Sequence, residues 1–249
     1  MHQINNIHTE KFGVDFHSIT DSQLADYWVM DTLGDIDDGT FIEAGGSLPS
    51  TCINLEKYYK WTGYIFEPND HNYEIISKLR DNTVSKMCLW KDRNGVEFLE
   101  TNQPNDSYID GCLSPTIKYT PESITSVNKV TKSSVTLNEV FEKANWKHCN
   151  FISLDIEGAE GSVIEIFDTD TYSVDCWQIE GGHNYFHMLQ SKGYTLVEQP
   201  FARMSGHDGP EWSPRDTFDK FYINNKLLDN YKHRIFENIH QYFAWCDNG

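Results

Sequence analysis

A chain of 249 residues, 39% hydrophobic and 14% aromatic, can bury one sizeable core, and a single α/β domain with added pieces is the simplest arrangement. Its 38 acids outnumber its 20 lysines and arginines, giving a formal charge of −18. This excludes nucleic acid as an expected partner, because cationic side chains supply most of the affinity for a phosphate backbone. The six cysteines show no CxxC pair or zinc spacing, the N-terminus has no basic and apolar leader, and no apolar run approaches a membrane span. Reduced thiols in a cytoplasmic protein, with no membrane partner, are the expectation.

Residues 1–20 are polar with scattered aromatics and read as an arm. From Asp21, the apolar positions Leu24, Trp28, Val29 and Leu33 recur at helical spacing, with Asp21 or Ser22 as cap and Gly34 as stop. Residues 1–38 are therefore an arm and helix ahead of the main domain, which is expected over 39–224. Gly39-Thr-Phe-Ile-Glu-Ala-Gly-Gly-Ser47 opens that domain as a buried strand running into an acid and two glycines. Glu43 falls at the carboxyl end of the strand, and Gly45 and Gly46 allow a sharp turn with close backbone approach to a ligand. A helix is predicted over 54–61, closed at Thr62-Gly63, then a strand Tyr64-Ile-Phe66 that ends in Glu67-Pro68-Asn69. Glu67 lies 24 residues beyond Glu43. In doubly wound nucleotide-binding sheets an acid about 20 residues past the glycine turn binds ribose hydroxyls.

The pattern continues with a helix over 72–80, a third strand over 83–89 and a short strand over 96–99. Residues 101–134, rich in Ser, Thr, Asn and Pro, read as a lid or substrate loop, or as a partly disordered insertion. A helix capped by Thr136 follows over 135–144. Cys149-Asn-Phe-Ile-Ser-Leu-Asp155-Ile-Glu-Gly-Ala-Glu160 is a continuous apolar strand ending in acids, which sends Asp155 to the same sheet edge as Glu43 and Glu67. After a helix over 159–167, Asp175-Cys-Trp-Gln-Ile179 is a fifth strand ending in Glu180-Gly-Gly-His183. A helix over 185–191, a strand over 194–197, a Gly/Pro-rich loop over 200–216 containing His207 and Trp212, and a strand over 218–223 complete the domain. Residues 227–245 read as one aromatic amphipathic helix within a C-terminal extension over 225–249, suited to packing or an oligomer contact.

Glu43-Ala-Gly-Gly46, Asn54, Glu67-Pro68-Asn69 and Ser153-Leu-Asp-Ile-Glu-Gly-Ala-Glu160, in this order and spacing, resemble the FkbM-type methyltransferases over roughly residues 21–224. The resemblance implies an S-adenosylmethionine-dependent O-methyltransferase acting on sugars or other hydroxylated compounds. It also implies a Rossmann-like, doubly wound, mostly parallel seven-stranded α/β sheet flanked by helices. Leu48-Pro49 stand where the family often has Asp-Gly. On this footing Glu43 would face the donor's amino group, Gly45 and Gly46 would admit its tail, and Glu67, with Pro68, would take the ribose. Asn54 and Asp155 complete the donor set, and the adenine would lie near Cys88-Leu-Trp90.

An alcohol acceptor needs a base, for which Asp155, Glu180 and His183 are candidates at the carboxyl edge. Asp155 with Glu180 could instead hold a divalent cation, Mg²⁺ among the oxygen-loving ions, that lowers the hydroxyl pKa. Helix capping or turn solvation accounts equally well for Glu157 and Glu160. His207 and Trp212 could grip a sugar face. Two other readings stay open: an NAD- or nucleotide-sugar-dependent enzyme, disfavoured by the missing GxGxxG run, and a non-catalytic module keeping the fold.

Overall fold

The computed structural model describes residues 24–46, 50–102, 107–112, 126–200 and 219–248, without the side chains at 182, 183 and 246–248. The capping candidates Asp21 and Ser22, the departure at Leu48-Pro49, and the His207 and Trp212 loop lie outside these residues.

The centre is a seven-stranded sheet. In chain order its strands are β1 (Thr40–Ala44), β2 (Thr62–Phe66), β3 (Thr83–Ser85), β9 (His148–Leu154), β10 (Ser173–Glu180), β11 (Tyr194–Val197) and β12 (Asp219–Asn224). Across the sheet they run β11-β12-β10-β9-β1-β2-β3. Five neighbours, from β3 to β10, are parallel, while β12 runs antiparallel to both β10 and β11. The sheet is therefore mixed, mostly parallel rather than wholly so.

Alternation along each strand sends side chains to two cores. Phe41, Phe151 and Cys176 pack with helices α1 (Ala25–Leu33) and α2 (Ile53–Tyr59) on one face. On the other, Ile42, Ile152 and Trp177 pack with α4 (Leu137–Ala144), α5 (Glu160–Ile166), α6 (Phe186–Ser191) and α7 (Ile239–Asn248). Ile76, the last residue of α3 (Asp70–Ile76), joins the first core. Burial on both faces explains why the strand sequences read as nearly continuous apolar runs. The strand order reverses between β1 and β9, where carboxyl ends diverge to leave a crevice.

Several boundaries differ from the sequence reading, each for a local reason. The helix after the glycine turn ends at Tyr59, where Lys60 takes a left-handed conformation with φ 59°, and Thr62-Gly63 start β2 instead of closing the helix. The run 83–89 is not one strand. Ser85 Oγ accepts from the Met87 amide at 3.2 Å, and the chain leaves the sheet. Cys88–Leu89 (β4) then pairs with Ser134–Val135 (β8).

The proposed loop 101–134 contains more structure than its composition suggested. Val96–Thr101 (β5) pairs along its whole length with Val127–Lys132 (β7), and Tyr108–Ile109 (β6) adds to its other edge. The β7 side chains are largely exposed, so no apolar period marks the strand. The C-terminal extension is broken as well, into a 3₁₀ turn over Asn225–Asn230 and α7, joined by extended chain. Tyr231 and Phe236 are drawn into the fold there: Tyr231 accepts from Trp28 Nε1 at 2.9 Å, and Phe236 is buried beside Tyr242.

Candidate functional site

The carboxyl edge of the sheet carries a cleft of about 560 Å³, open on one side to solvent. Its floor is Gly45, after β1. Glu67 and Pro68 after β2 form one wall, with Asn72 of α3, and Asp155, Ile156 and Glu157 after β9 form the opposite one. Cys88, Leu89, Phe98 and Ile109 supply an apolar side from the two small sheets. The site thus takes contributions from both sides of the topological switch, where doubly wound sheets place their ligands.

Gly45 is required by its position. It has φ +83°, its amide donates to the Phe66 carbonyl at 2.9 Å, and a Cβ there would fall 1.7 Å from the Asp155 carbonyl oxygen. Next to it, the Asp155 amide donates to the Ala44 carbonyl at 3.0 Å, so the β1–β9 ladder runs to the rim. A Cβ on Gly46 would meet Ile65 Cγ2 at 2.4 Å. Gly46 therefore packs against β2 and is not among the residues lining the cleft.

Glu67 is 5% exposed and accepts from the Asn69 amide at 2.7 Å. Burial is the main reason its carboxyl is pushed up to about 7, opposed by the Asn69 and Asn72 hydrogen bonds and by Lys132, and reinforced by Asp155. Asn69 caps α3, its side chain accepting from the His71 and Asn72 amides. The same short turn therefore aims an acid into the cleft and starts a helix.

Across the cleft, Asp155, Glu157 and Glu180 bring one carboxylate oxygen each to within 4.8 Å of one another. Burial, followed by the charges of Asp155, Glu157, Asp219 and Glu160, drives the Glu180 carboxyl far above its ordinary range. Such a set of hard oxygen donors suits a divalent cation of the Mg²⁺ or Ca²⁺ type. Glu157 has φ +55°, a conformation rare outside glycine, and Gly158 follows at φ +96°. The buried Glu160 holds this turn by accepting from the Ile156 amide at 2.8 Å and the Gly158 amide at 3.3 Å. Its own carboxyl is raised, chiefly by burial. Glu160 therefore shapes the loop that carries Asp155 and Glu157.

Not every residue singled out in the sequence reaches the cleft. Glu43, expected to face a ligand's amino group, is 2% exposed and not among the lining residues. Its carboxylate accepts from Ser50 Oγ at 2.8 Å and the Thr51 amide at 2.9 Å, and pairs with Arg80 at 2.8 Å. The reason is strand alternation: Glu43 shares the face of Phe41, under α2, where a buried acid must find donors. Asn54 is likewise turned away, donating to Asp26 at 2.6 Å. Cys88 does line the cleft, and burial raises its thiol to about 12. His183 belongs to a 3₁₀ turn over Gly182–Tyr185 after β10, with a side chain outside the described set.

Sequence reasoning did not assign Phe98, Ser107 and Ile109 to the site: Phe98 lies in the short strand read over 96–99, and Ser107 and Ile109 in the segment 101–134 read as a lid or substrate loop. Nor did it find Asp219, which antiparallel pairing sets opposite Glu180 and whose carboxylate takes a short hydrogen bond from Gln178 Nε2. Antiparallel insertion of a late strand has no sequence signal at the acid itself. Among the described residues no helix is long and apolar enough to cross a membrane, and Cys52, Cys88, Cys112, Cys149 and Cys176 are free thiols.

A family model described as the methyltransferase FkbM domain matches residues 38–198. No curated protein and no solved structure matches the chain.

Proposed function

The chain belongs to the FkbM methyltransferase family, and from that premise we propose that it moves a methyl group from S-adenosylmethionine to a hydroxyl of a sugar or glycan. The observation that carries this reading is the cleft at the strand switch, walled by Glu67 on one side and by Asp155 and Glu157 on the other. When bound, the donor supplies an electrophilic methyl on a cationic sulfonium. The donor set of the cleft fits such a molecule: carboxylates for a cation and a ribose diol, and Cys88, Leu89, Phe98 and Ile109 for a flat heterocycle.

In this reading ionised Glu67 accepts the two ribose hydroxyls, and the Gly45 turn leaves room for the amino-acid tail. Asp155, Glu157 and Glu180 act on the acceptor side. They would hold Mg²⁺ or a similar cation, which when bound would lower the pKa of the acceptor hydroxyl, or one of them would take the proton directly, with His183 as the alternative base. Holding the hydroxyl in line with the methyl supplies much of the rate. His207 and Trp212 are assigned to the acceptor's sugar face.

The test is methyl-donor turnover over a panel of neutral sugars and glycans, with Mg²⁺ and with a chelator, alongside calorimetry of donor binding. Product methylated on oxygen, lost with the chelator, is the expected result. Methylation confined to nitrogen or carbon acceptors would overturn the acceptor class, and full activity in chelator would remove the cation. Glu67→Ala is expected to weaken donor binding by about 100-fold, as loss of a charge-assisted bidentate contact does; unchanged affinity would refute the ribose assignment.

A further inference from the structure

Arg80 lies just beyond α3 and is not among the residues lining the cleft, and its side chain is 0% exposed. Its Nη1 donates to Glu43 Oε2 at 2.8 Å and to Ser50 Oγ at 2.5 Å, while Nε donates to Glu56 Oε2 at 2.8 Å. Glu56, on α2, also accepts from the Asp81 amide at 2.5 Å. Phe41 lies under the guanidinium, 5.6 Å from ring centroid to Cζ. One cation thus binds the end of β1, the start of α2 and the turn after α3.

The position of these contacts in the chain gives them a consequence for the cleft. The connection from β1 to α2 is held at its start by the Gly45 and Gly46 amides, which donate to the Phe66 carbonyl at 2.9 and 3.3 Å. At its other end Ser50 and Thr51 are held by Glu43, and Ser50 by Arg80. Both described ends of the connection are thus fixed to neighbouring elements, Gly45 and Gly46 to the end of β2, and Ser50 and Thr51 to Glu43, which stands two residues before Gly45 on the cleft floor. Meanwhile α3 starts at the Glu67 turn and is followed by Arg80, so it works as a strut between the acid of the cleft and the guanidinium of the clamp. The fork geometry matters here: two carboxylates are reached from separate nitrogens, Glu56 from Nε and Glu43 from Nη1, and Nη1 also reaches Ser50, which a lysine's single nitrogen cannot do.

We propose that Arg80 is a positioning residue for the donor pocket, acting through Glu43 and Ser50 to set the glycine turn, and that Glu43 serves the site by this route and not by touching the donor. The proposal rests on the donor reading above.

Deleting Arg80 outright would leave two buried carboxylates uncompensated and unfold the chain, so the decisive variant is Ser50→Ala. It removes the hydroxyl that links Ser50 to Glu43 and Arg80 while leaving both ion pairs intact. Calorimetry with S-adenosylmethionine, together with steady-state kinetics and thermal melts, is the measurement. Ser50→Ala is expected to weaken donor affinity about tenfold and raise the donor KM in parallel, with kcat at saturating donor within twofold of wild type. Arg80→Lys is expected to shift KM in the same sense, alongside a lower melting temperature. Wild-type affinity in Ser50→Ala overturns the proposal, as does a loss of kcat at saturating donor with KM unchanged. A wild-type chain that binds no S-adenosylmethionine would instead overturn the donor reading, and the proposal with it.

Discussion

Glu67 is a buried carboxyl raised by burial from its ordinary 4.5 to about 7, and this gives opposite pH dependences to folding and to binding. Between those two values the folded chain holds a proton that the unfolded chain has released, so this group's contribution to stability falls as pH rises from 4.5 to about 7. On the proposed ribose role of Glu67, donor binding runs the other way, because only the carboxylate would accept from both ribose hydroxyls. Calorimetric affinity for S-adenosylmethionine should therefore improve about tenfold from roughly pH 6 to roughly pH 8, and the slope should vanish in Glu67→Gln. A slope that survives in that variant would assign the titration elsewhere.

Glu180 presents the same physics more strongly. With burial and four neighbouring acids raising its carboxyl, the folded chain keeps it protonated at neutral pH, whereas the unfolded chain ionises it. Folding must take up that proton, and the cost grows as pH rises above the unfolded value. In metal-free buffer near neutral pH, Glu180→Gln should raise stability by roughly 1–3 kcal/mol while abolishing turnover. A melting temperature below wild type in that variant would show that the acid is held by favourable contacts instead.

Among the elements, α4 shows how local chemistry sets a boundary. Thr136 Oγ1 accepts from the Glu139 amide at 3.2 Å and Glu139 Oε2 accepts from the Thr136 amide at 2.9 Å, a reciprocal cap. Leu137, Val140 and Phe141 then bury one face. Thr136→Ala should cost about 1 kcal/mol, a fall of about 2–4 °C in melting temperature, with donor affinity unchanged. An unmoved melting temperature would mean that tertiary packing alone defines the helix start. This cap was legible in the sequence because the bonding partners are three residues apart. The pairing of β5 with β7 was not, because the two strands are joined by a long connection and carry polar side chains on exposed faces. The split of the third strand into β3 and β4 was hidden for a related reason: Val84 and Leu89 are both apolar, and only Ser134 and Val135, distant in sequence, show that the second piece pairs elsewhere.

Over the whole molecule, five parallel strands deliver their carboxyl ends to one edge, and β12 returns antiparallel to place Asp219 there as well. Glu67, Asp155, Glu157 and Glu180 converge on that edge from three strand ends. The C-terminal segment closes the opposite flank of β11, through the bridge between Val197 and Ile235 and the burial of Phe236 and Tyr242.

The amino-acid sequence by itself determined the alternation of strands and helices, the acids at the strand ends and the glycine turn, because these follow from near-neighbour spacing and backbone conformation. Apolar runs, a left-handed glycine and a residue three positions from its cap partner are local properties, readable in one dimension. Only the tertiary structure decided which of those acids face the cleft. Glu43 and Glu67 end similar strands in similar sequence, yet one pairs with Arg80 beneath α2 and the other lines the site. The difference depends on register, since Glu43 stands opposite Ile65 within the sheet and Glu67 lies two positions beyond it, and on a cation 37 residues away in sequence, and neither is written at the residue itself.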